Sequence, residues 1–254
     1  MSSLKRLFKK KVNGAGSGQD TDAQDEGEQY GLFTLHDGVN EAVVLDIVAV
    51  HGLGGHWRDT WMAENERLWL RDSIPIKMAA ASTNARIFSY GYNANTAFIR
   101  AVTDITDEAA MLLDRIKSER KSANERKRPL IFIAHSLGGI LVKKAMIIAH
   151  ERTLEYGELL ESIKGAMFLG TPHRGSDAAY WATFAASVLT TLQLGRGTNS
   201  NFVSALQRNS VEFANISQQW IERAAPLRIR TFYETKRLHG ELVCVFCHIN
   251  LNFY

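Results

Sequence analysis

Short continuous apolar runs alternate along the chain with longer stretches in which apolar residues recur at helical spacing. The runs predict strands at residues 32–35, 43–50, 85–90, 130–134, 163–169 and 227–233, of which the first is a short edge strand. The longer stretches predict a helix within 57–77 that ends before the proline at 75, a long helix over 93–121, a helix after 138, and helices over 176–222. This alternation predicts an α/β fold, a mostly parallel sheet with helices on both faces.

One junction between a strand and a helix carries a candidate nucleophile, Ser136, in the run A-H-S-L-G. A serine at such a sharp turn exposes its hydroxyl above the sheet edge, where helix N-terminal amides point, which is the geometry of a nucleophile elbow. The residues two before and two after the serine must be small, and they are Ala134 and Gly138. Gly139 is expected to let the helix pack closely on the strand. The alternative interpretation is a serine helix cap in a tight glycine turn.

A glycine-rich loop, H-G-L-G-G-H-W, follows the strand at 43–50 and begins at His51. Glycines at the carboxyl end of a central strand let backbone amides approach a ligand closely. Beside an elbow, this loop is expected to supply one oxyanion donor, opposite the amide that follows the nucleophile. A phosphate loop is not indicated, because neither the G-x-x-x-x-G-K-[ST] pattern nor the third glycine of a dinucleotide turn is present.

A serine nucleophile needs a base, and the base needs a carboxylate that fixes its tautomer. In this class of sheet the chain order is serine, then acid, then histidine. Glu234 directly follows the last clear strand and fits the acid. Only His239 and His248 lie downstream, and His248 would follow a further strand at 241–246. His173, after the strand at 163–169, is interpreted as loop structure in the pocket wall.

Composition narrows the classes of function further. The chain has 254 residues, 45% of them hydrophobic, and a net charge of +3, which suits one large soluble domain and does not indicate a nucleic-acid partner. The single C-x-x-C pair, Cys244 and Cys247, cannot complete a tetrahedral zinc site by itself. We therefore expect no metal and no cofactor. No run of 18 apolar residues is present, and the N-terminus lacks an apolar signal core, which argues against a membrane span and against secretion.

The first 29 residues differ in composition from the rest and are expected to form a disordered tail before a domain at 30–254. A basic cluster precedes a glycine-rich stretch and an acidic run; its members are Lys5, Arg6, Lys9, Lys10 and Lys11. Such a cluster could touch an anionic membrane surface or act as a targeting signal, and the alternative is a solvated tail.

Five motifs in order resemble the serine-active-site-containing (SERAC-type) family of lipase-like α/β-hydrolases, over roughly residues 31–236: H-G-L-G-G-H-W-R-D-T-W, L-W-L-R-D-S-I-P, A-R-I-F-S-Y-G-Y, I-F-I-A-H-S-L-G-G-I-L-V-K-K-A and F-L-G-T-P-H-R-G-S. The resemblance implies an α/β-hydrolase fold, Ser136 as nucleophile, and the amides of Leu53 and Leu137 as oxyanion donors. It implies a lipid or other ester as substrate, and mitochondrial or endoplasmic reticulum membrane association for some relatives.

The resemblance stops after Thr235, where the family continues to a histidine motif that this chain lacks. We therefore expect a truncated or altered C-terminal part, in which His248 or His239 would have to serve as the base. Two functions remain: a serine esterase or lipase, and a hydrolase-like binding or signalling module without turnover.

Overall fold

The computed structural model describes residues 29–38, 43–63, 65–94, 97, 102–173, 184 and 208–232. These residues form one sheet of six strands in the order β1-β3-β2-β4-β5-β6, in which β1 is antiparallel to β3 and all other pairs are parallel. The strands are β1 (Gly31–His36), β2 (Leu45–Val50), β3 (Ala85–Gly91), β4 (Leu130–His135), β5 (Ile163–Leu169) and β6 (Arg228–Phe232). All six predicted strands are confirmed, including the short one at the edge.

Helices cover both faces of this sheet, because the side chains of β2 alternate between two cores. The described helices are α1 (Trp69–Asp72), α2 (Ile74–Ala80), α3 (Val102–Glu119), α4 (Ala123–Lys127), α5 (Gly138–Glu151), α6 (Thr153–Ser162) and α7 (Ser210–Arg223), with a 3-10 turn at Asp59–Trp61. Val48 and Val50 belong to a core shared with α3, α5 and α7, whereas Ile47 and Ala49 face α1, α2 and Trp61. The predicted layering is therefore confirmed.

The prediction of one helix within residues 57–77 that ends before Pro75 is wrong. The segment forms the 3-10 turn and α1, and Pro75 lies in the first turn of α2, where its missing N–H costs no helical hydrogen bond. The indole of Trp61 donates to Ser89 Oγ at 2.9 Å, and that hydroxyl donates to the Trp57 carbonyl at 2.6 Å. Hydrogen bonds to β3 thus hold the tryptophans against the sheet instead of along one helix.

The charged segment at 117–128 contains two arginines that are largely buried, although a run of charges usually forms a solvated face. Arg120 and Arg128 join Arg86 of β3 around the carboxylate of Asp46, at N···O distances of 3.0–3.1 Å. Asp46 is only 1% exposed and Arg120 only 3%. The segment folds back because a buried carboxylate at the start of β2 needs cationic partners.

Several predictions fall outside the described residues: the tail at 1–28, most of the helices predicted over 176–207, and the strand at 241–246. α7 confirms the last part of the helical stretch that was predicted over 176–222. No helix among the described residues combines the length and the apolar character that crossing a bilayer requires.

Candidate active site

Ser136 lies in the turn between β4 and α5 and is itself in the left-handed region, with φ of +52°. A non-glycine residue rarely adopts this conformation, which strains the backbone and is common at functional sites. The turn is anchored by the Ser136 amide, which donates to the Leu169 carbonyl of β5 at 2.8 Å. This strained strand-to-helix turn has the backbone geometry of a nucleophile elbow, as the sequence predicted.

The glycines after the serine are required by neighbouring loops. A Cβ placed on Gly138 would overlap the His51 carbonyl oxygen and lie 2.6 Å from that of Val50, so the start of α5 rests on the end of β2. A Cβ on Gly139 would overlap the side chain of Thr171. Gly139 was expected to serve packing of the helix on the strand, but it makes room for the loop that follows β5.

The glycine-rich loop lies directly against the elbow. A Cβ placed on Gly52 would lie 2.7 Å from Ser136 Cβ and 3.2 Å from Ser136 Oγ. The loop closes as a turn, in which the Gly55 amide donates to the Gly52 carbonyl at 3.0 Å and Gly54 has φ of +62°. The turn needs a glycine at position 54 because other residues rarely adopt that backbone conformation.

Two hydrogen bonds fix the peptide unit that joins Gly52 to Leu53. Its carbonyl accepts from the Gly55 amide and from His51 Nδ1, the latter at 2.9 Å. Because a trans peptide points its N–H opposite to its C=O, the Leu53 N–H faces away from those two partners. Within the described ranges, the N–H groups of Leu53 and Leu137 donate to no backbone or side-chain acceptor. Two buried residues beside Ser136 therefore offer unused donors.

His51 is buried at the end of β2 and is held as a neutral imidazole. The Tyr92 amide donates to its Nε2 at 3.4 Å, so the ring proton is on Nδ1, which donates to the Gly52 carbonyl. Burial lowers the pKa of His51 to about 4. Burial, together with the nearby His51, also lowers the pKa of His135 to about 4. Near neutral pH Nε2 of His51 is therefore unprotonated and accepts the hydrogen bond of the Tyr92 amide.

A buried lysine fastens the loop that follows β5. Lys143 of α5 is fully buried, and its ammonium donates to the Pro172 carbonyl at 3.2 Å and to Ser217 Oγ of α7 at 3.3 Å. Burial lowers the pKa of Lys143 to about 7. The sequence analysis missed this residue, although a lysine within the otherwise apolar run I-L-V-K-K-A-M was a usable signal.

His173 lies in the same loop and contacts the strands beside it. Its Nε2 lies 3.3 Å from Thr231 Oγ1 of β6, and its ring meets the edge of Phe168 at 5.0 Å. Burial and then the charge of Lys143 lower its pKa to about 4. Both contacts of the His173 ring are to residues of neighbouring strands, which agrees with the interpretation of His173 as a structural residue of the loop.

The structure describes three of the five residues that the sequence proposed for the site: Ser136, Leu137 directly after it, and Leu53, which follows the Gly52 that packs against Ser136. Glu234 and His248 lie outside the described residues, as does the alternative base, His239. Within the described part of the chain, no imidazole hydrogen-bonds the Ser136 hydroxyl. The assignments of acid and base therefore stay predictions.

Comparison with known proteins gives one family match and several distant relatives. Residues 43–207 match the family described as "Putative serine esterase (DUF676)". Protein SERAC1 of Mus musculus is 26% identical over 212 residues, which cover 76% of this chain and 32% of the mouse protein. Protein SERAC1 of Danio rerio is 28% identical over 186 residues, or 66% of this chain and 28% of the zebrafish protein. This chain spans about a third of the length of these curated relatives.

Among solved structures, the chain is similar to one from a study of carboxylesterases of the thaumarchaeon Nitrososphaera gargenis, with 12% sequence identity and a TM-score of 0.36. The match covers 80% of this chain and 86% of the other.

The family match includes the glycine-rich loop, which packs against Ser136, the elbow itself, and the loop after β5, which packs against Gly139. It also confirms the resemblance to SERAC-type proteins that the sequence motifs indicated. The chain therefore belongs to the family described as "Putative serine esterase (DUF676)".

Proposed function

We propose that the protein hydrolyses a lipid or another carboxylic ester through an acyl-enzyme on Ser136. The observation that carries this proposal is the pairing of a strained serine, with φ of +52°, and a glycine loop packed so closely against it that no side chain fits between them. Two unused amides, of Leu53 and Leu137, belong to the residues that flank this contact. A buried serine that merely capped a helix would need neither the loop nor the donors.

The chemistry follows from these groups. Ser136 Oγ attacks the ester carbonyl carbon as a base takes its proton, and the carbonyl oxygen becomes an oxyanion. The Leu53 and Leu137 amides donate to that oxyanion, for which a distance of about 2.7–3.1 Å is required. The base returns the proton to the alkoxide, which leaves as an alcohol. Water, deprotonated by the same base, then releases the acid and restores the serine.

Glu234 and His248 are proposed as the acid and the base, with His239 as the alternative base. Support comes from the sheet: β6 is parallel to β5 and ends at Phe232, two residues before Glu234. The Gly170 amide donates to the Phe232 carbonyl at 2.8 Å, so this end of β6 adjoins the loop that faces α5. The carboxyl ends of parallel strands share one sheet edge, which is where such sites lie.

We also propose that the protein acts at a mitochondrial or endoplasmic reticulum membrane as a peripheral protein. The support is the family resemblance and the N-terminal basic cluster, which suits anionic lipid headgroups. Fractionation of cells that express a tagged full chain, with and without residues 1–28, tests this. Loss of the membrane fraction on deletion is expected, whereas an equal distribution of both forms would contradict the role of the cluster.

The proposed activity is tested with a series of p-nitrophenyl esters of increasing acyl length. We expect the wild type to turn over and Ser136→Ala to fall to the buffer rate. His248→Ala should fall to the same level, because the members of a triad act as a unit. Survival of activity in His248→Ala but not in His239→Ala would move the base to His239. A wild type no faster than Ser136→Ala would favour the binding or signalling module.

A further inference from the structure

Tyr92, just after β3, contacts His51 in three ways. Its amide donates to His51 Nε2 at 3.4 Å, and its hydroxyl donates to the His51 carbonyl oxygen at 2.8 Å. The two rings are stacked, with centroids 4.5 Å apart and planes at 23°. Both residues are buried, Tyr92 at 4% and His51 at 1% exposure. Tyr92 therefore restrains His51 in two ways: its side chain holds the backbone and the ring plane, and its amide holds the tautomer.

The restrained carbonyl is also the point where the glycine loop meets the elbow helix. The His51 carbonyl oxygen occupies the space that a Cβ on Gly138 would need, so it is confined between α5 and the Tyr92 hydroxyl. The next residue, Gly52, packs against Ser136, and its carbonyl is the acceptor of His51 Nδ1. Any shift of His51 is therefore passed to the Gly52–Leu53 peptide.

We propose that Tyr92 is the positioning residue of the oxyanion hole, an inference that rests on the proposed function. Its hydroxyl holds the His51 backbone, and its amide keeps the proton of the imidazole on Nδ1, so that the Leu53 N–H is fixed opposite the Gly52 carbonyl. An oxyanion donor has to be in place before the reaction, because its value lies in preorganisation. Tyr92 is assigned a positioning role because, among the described residues, it is linked to the site through His51.

The chain offers a matched control for this role. Tyr90 is two residues earlier, is 2% exposed, and also spends its hydroxyl on one hydrogen bond, to Glu108 Oε1 of α3 at 2.5 Å. Tyr90→Phe and Tyr92→Phe each remove one buried phenolic oxygen, and both should lower the melting temperature. Only Tyr92→Phe removes a bond to the oxyanion loop. A purely structural role predicts the same kinetics for both variants.

The experiment measures kcat and KM for the best p-nitrophenyl ester with wild type, Tyr92→Phe and Tyr90→Phe. It also measures the inhibition constant of a trifluoromethyl ketone, which forms a tetrahedral adduct on the serine. For Tyr92→Phe we expect kcat to fall about ten- to hundredfold with KM within about twofold, since small misplacements cost this much. Affinity for the ketone should fall by a similar factor. Tyr90→Phe should keep both constants within about twofold of the wild type.

Hydrogen–deuterium exchange of the peptide that spans 51–55 gives a readout that does not need turnover. We expect faster exchange of this peptide in Tyr92→Phe than in Tyr90→Phe. Equal kcat in an active Tyr92→Phe enzyme, or equal exchange in the two variants, overturns the positioning role. A wild type without ester hydrolysis overturns the proposed function instead, and the two failures are thereby distinguished.

Discussion

Gly52 and Ser136 are in contact, with no room between them for a side chain. A Cβ on Gly52 would lie 2.7 Å from Ser136 Cβ and 2.9 Å from the His135 carbonyl oxygen. Real Cβ atoms essentially never approach other atoms this closely, so any larger residue at position 52 must displace the loop or the elbow. This contact fixes the position of the glycine loop relative to the elbow serine, which the proposed oxyanion hole requires.

Gly52→Ala should therefore reduce kcat about a hundredfold or more, because the oxyanion donors and the nucleophile are forced apart. Gly157→Ala is the control: it lies within α6, a Cβ there meets nothing within 4 Å, and alanine favours the helix by about 1 kcal/mol. Esterase assays and thermal melts check both variants. A Gly52→Ala enzyme with wild-type kcat would show that the loop takes no part in the reaction.

Asp46 should be one of the most sensitive positions for stability. Asp46→Asn leaves Arg86, Arg120 and Arg128 facing each other without their shared carboxylate, and removing one side of a buried charge cluster costs about 3–5 kcal/mol. Urea unfolding measures this loss. Asp59→Asn, whose side chain is 74% exposed, should change the free energy of unfolding by less than about 0.5 kcal/mol. Equal effects of the two substitutions would contradict the structural role of the cluster.

The layered sheet was predictable because each strand is a distinct apolar run, and Ile163–Leu169 was located to the residue. Helix boundaries were less predictable where hydrogen bonds between distant segments decide them. Trp61 and Ser89 are 28 residues apart, and no local pattern indicates that the indole donates to that hydroxyl. In the sequence, Arg120 and Arg128 belong to a run of charges that looks solvated. Their partner Asp46 is far away in the chain and is brought close only by the fold.

Acid should destabilise the fold through its buried imidazoles. The pKa of His51 is lowered by burial to about 4, against an ordinary value of 6.5, so the unfolded chain binds the proton more readily. The contribution of the neutral His51 imidazole to the free energy of unfolding is present above about pH 6.5 and is lost as the pH falls toward 4.

Urea unfolding between about pH 5 and pH 6.5 measures this effect, with a slope of up to about 1.4 kcal/mol per pH unit for one histidine. His51→Asn should show a shallower slope than the wild type by up to that amount, whatever its absolute stability. Identical slopes in the two proteins would contradict the buried neutral imidazole.

Deletion of residues 1–28 should leave the domain folded and active. The segment is charged, rich in glycine and without an apolar period, so it contributes no core. We expect a change in melting temperature of less than about 2 °C and unchanged kcat on a soluble ester. A loss of several degrees would show that the tail packs on the domain.

Parts of the site were also predictable, because the elbow and the glycine loop are local motifs, A-H-S-L-G and H-G-L-G-G, at strand ends. The residues that hold these motifs in place were not predictable from the sequence. Tyr92 contacts a residue that is 41 positions away in the sequence, and Lys143 contacts two residues that are 29 and 74 positions away. Only the folded sheet brings these residues close. Such buried polar contacts have no periodic signature in the sequence.

Covalent labelling with a fluorophosphonate probe tests the central claim, that Ser136 is an activated nucleophile, most directly. The intact full chain is incubated with the probe and its mass is measured, followed by mapping of the modified peptide. We predict one adduct per chain on Ser136 in the wild type and none in Ser136→Ala. Ser89 is a buried serine of β3, and the control variant Ser89→Ala should be labelled like the wild type. An unlabelled wild type, or equal labelling of wild type and Ser136→Ala, would contradict it.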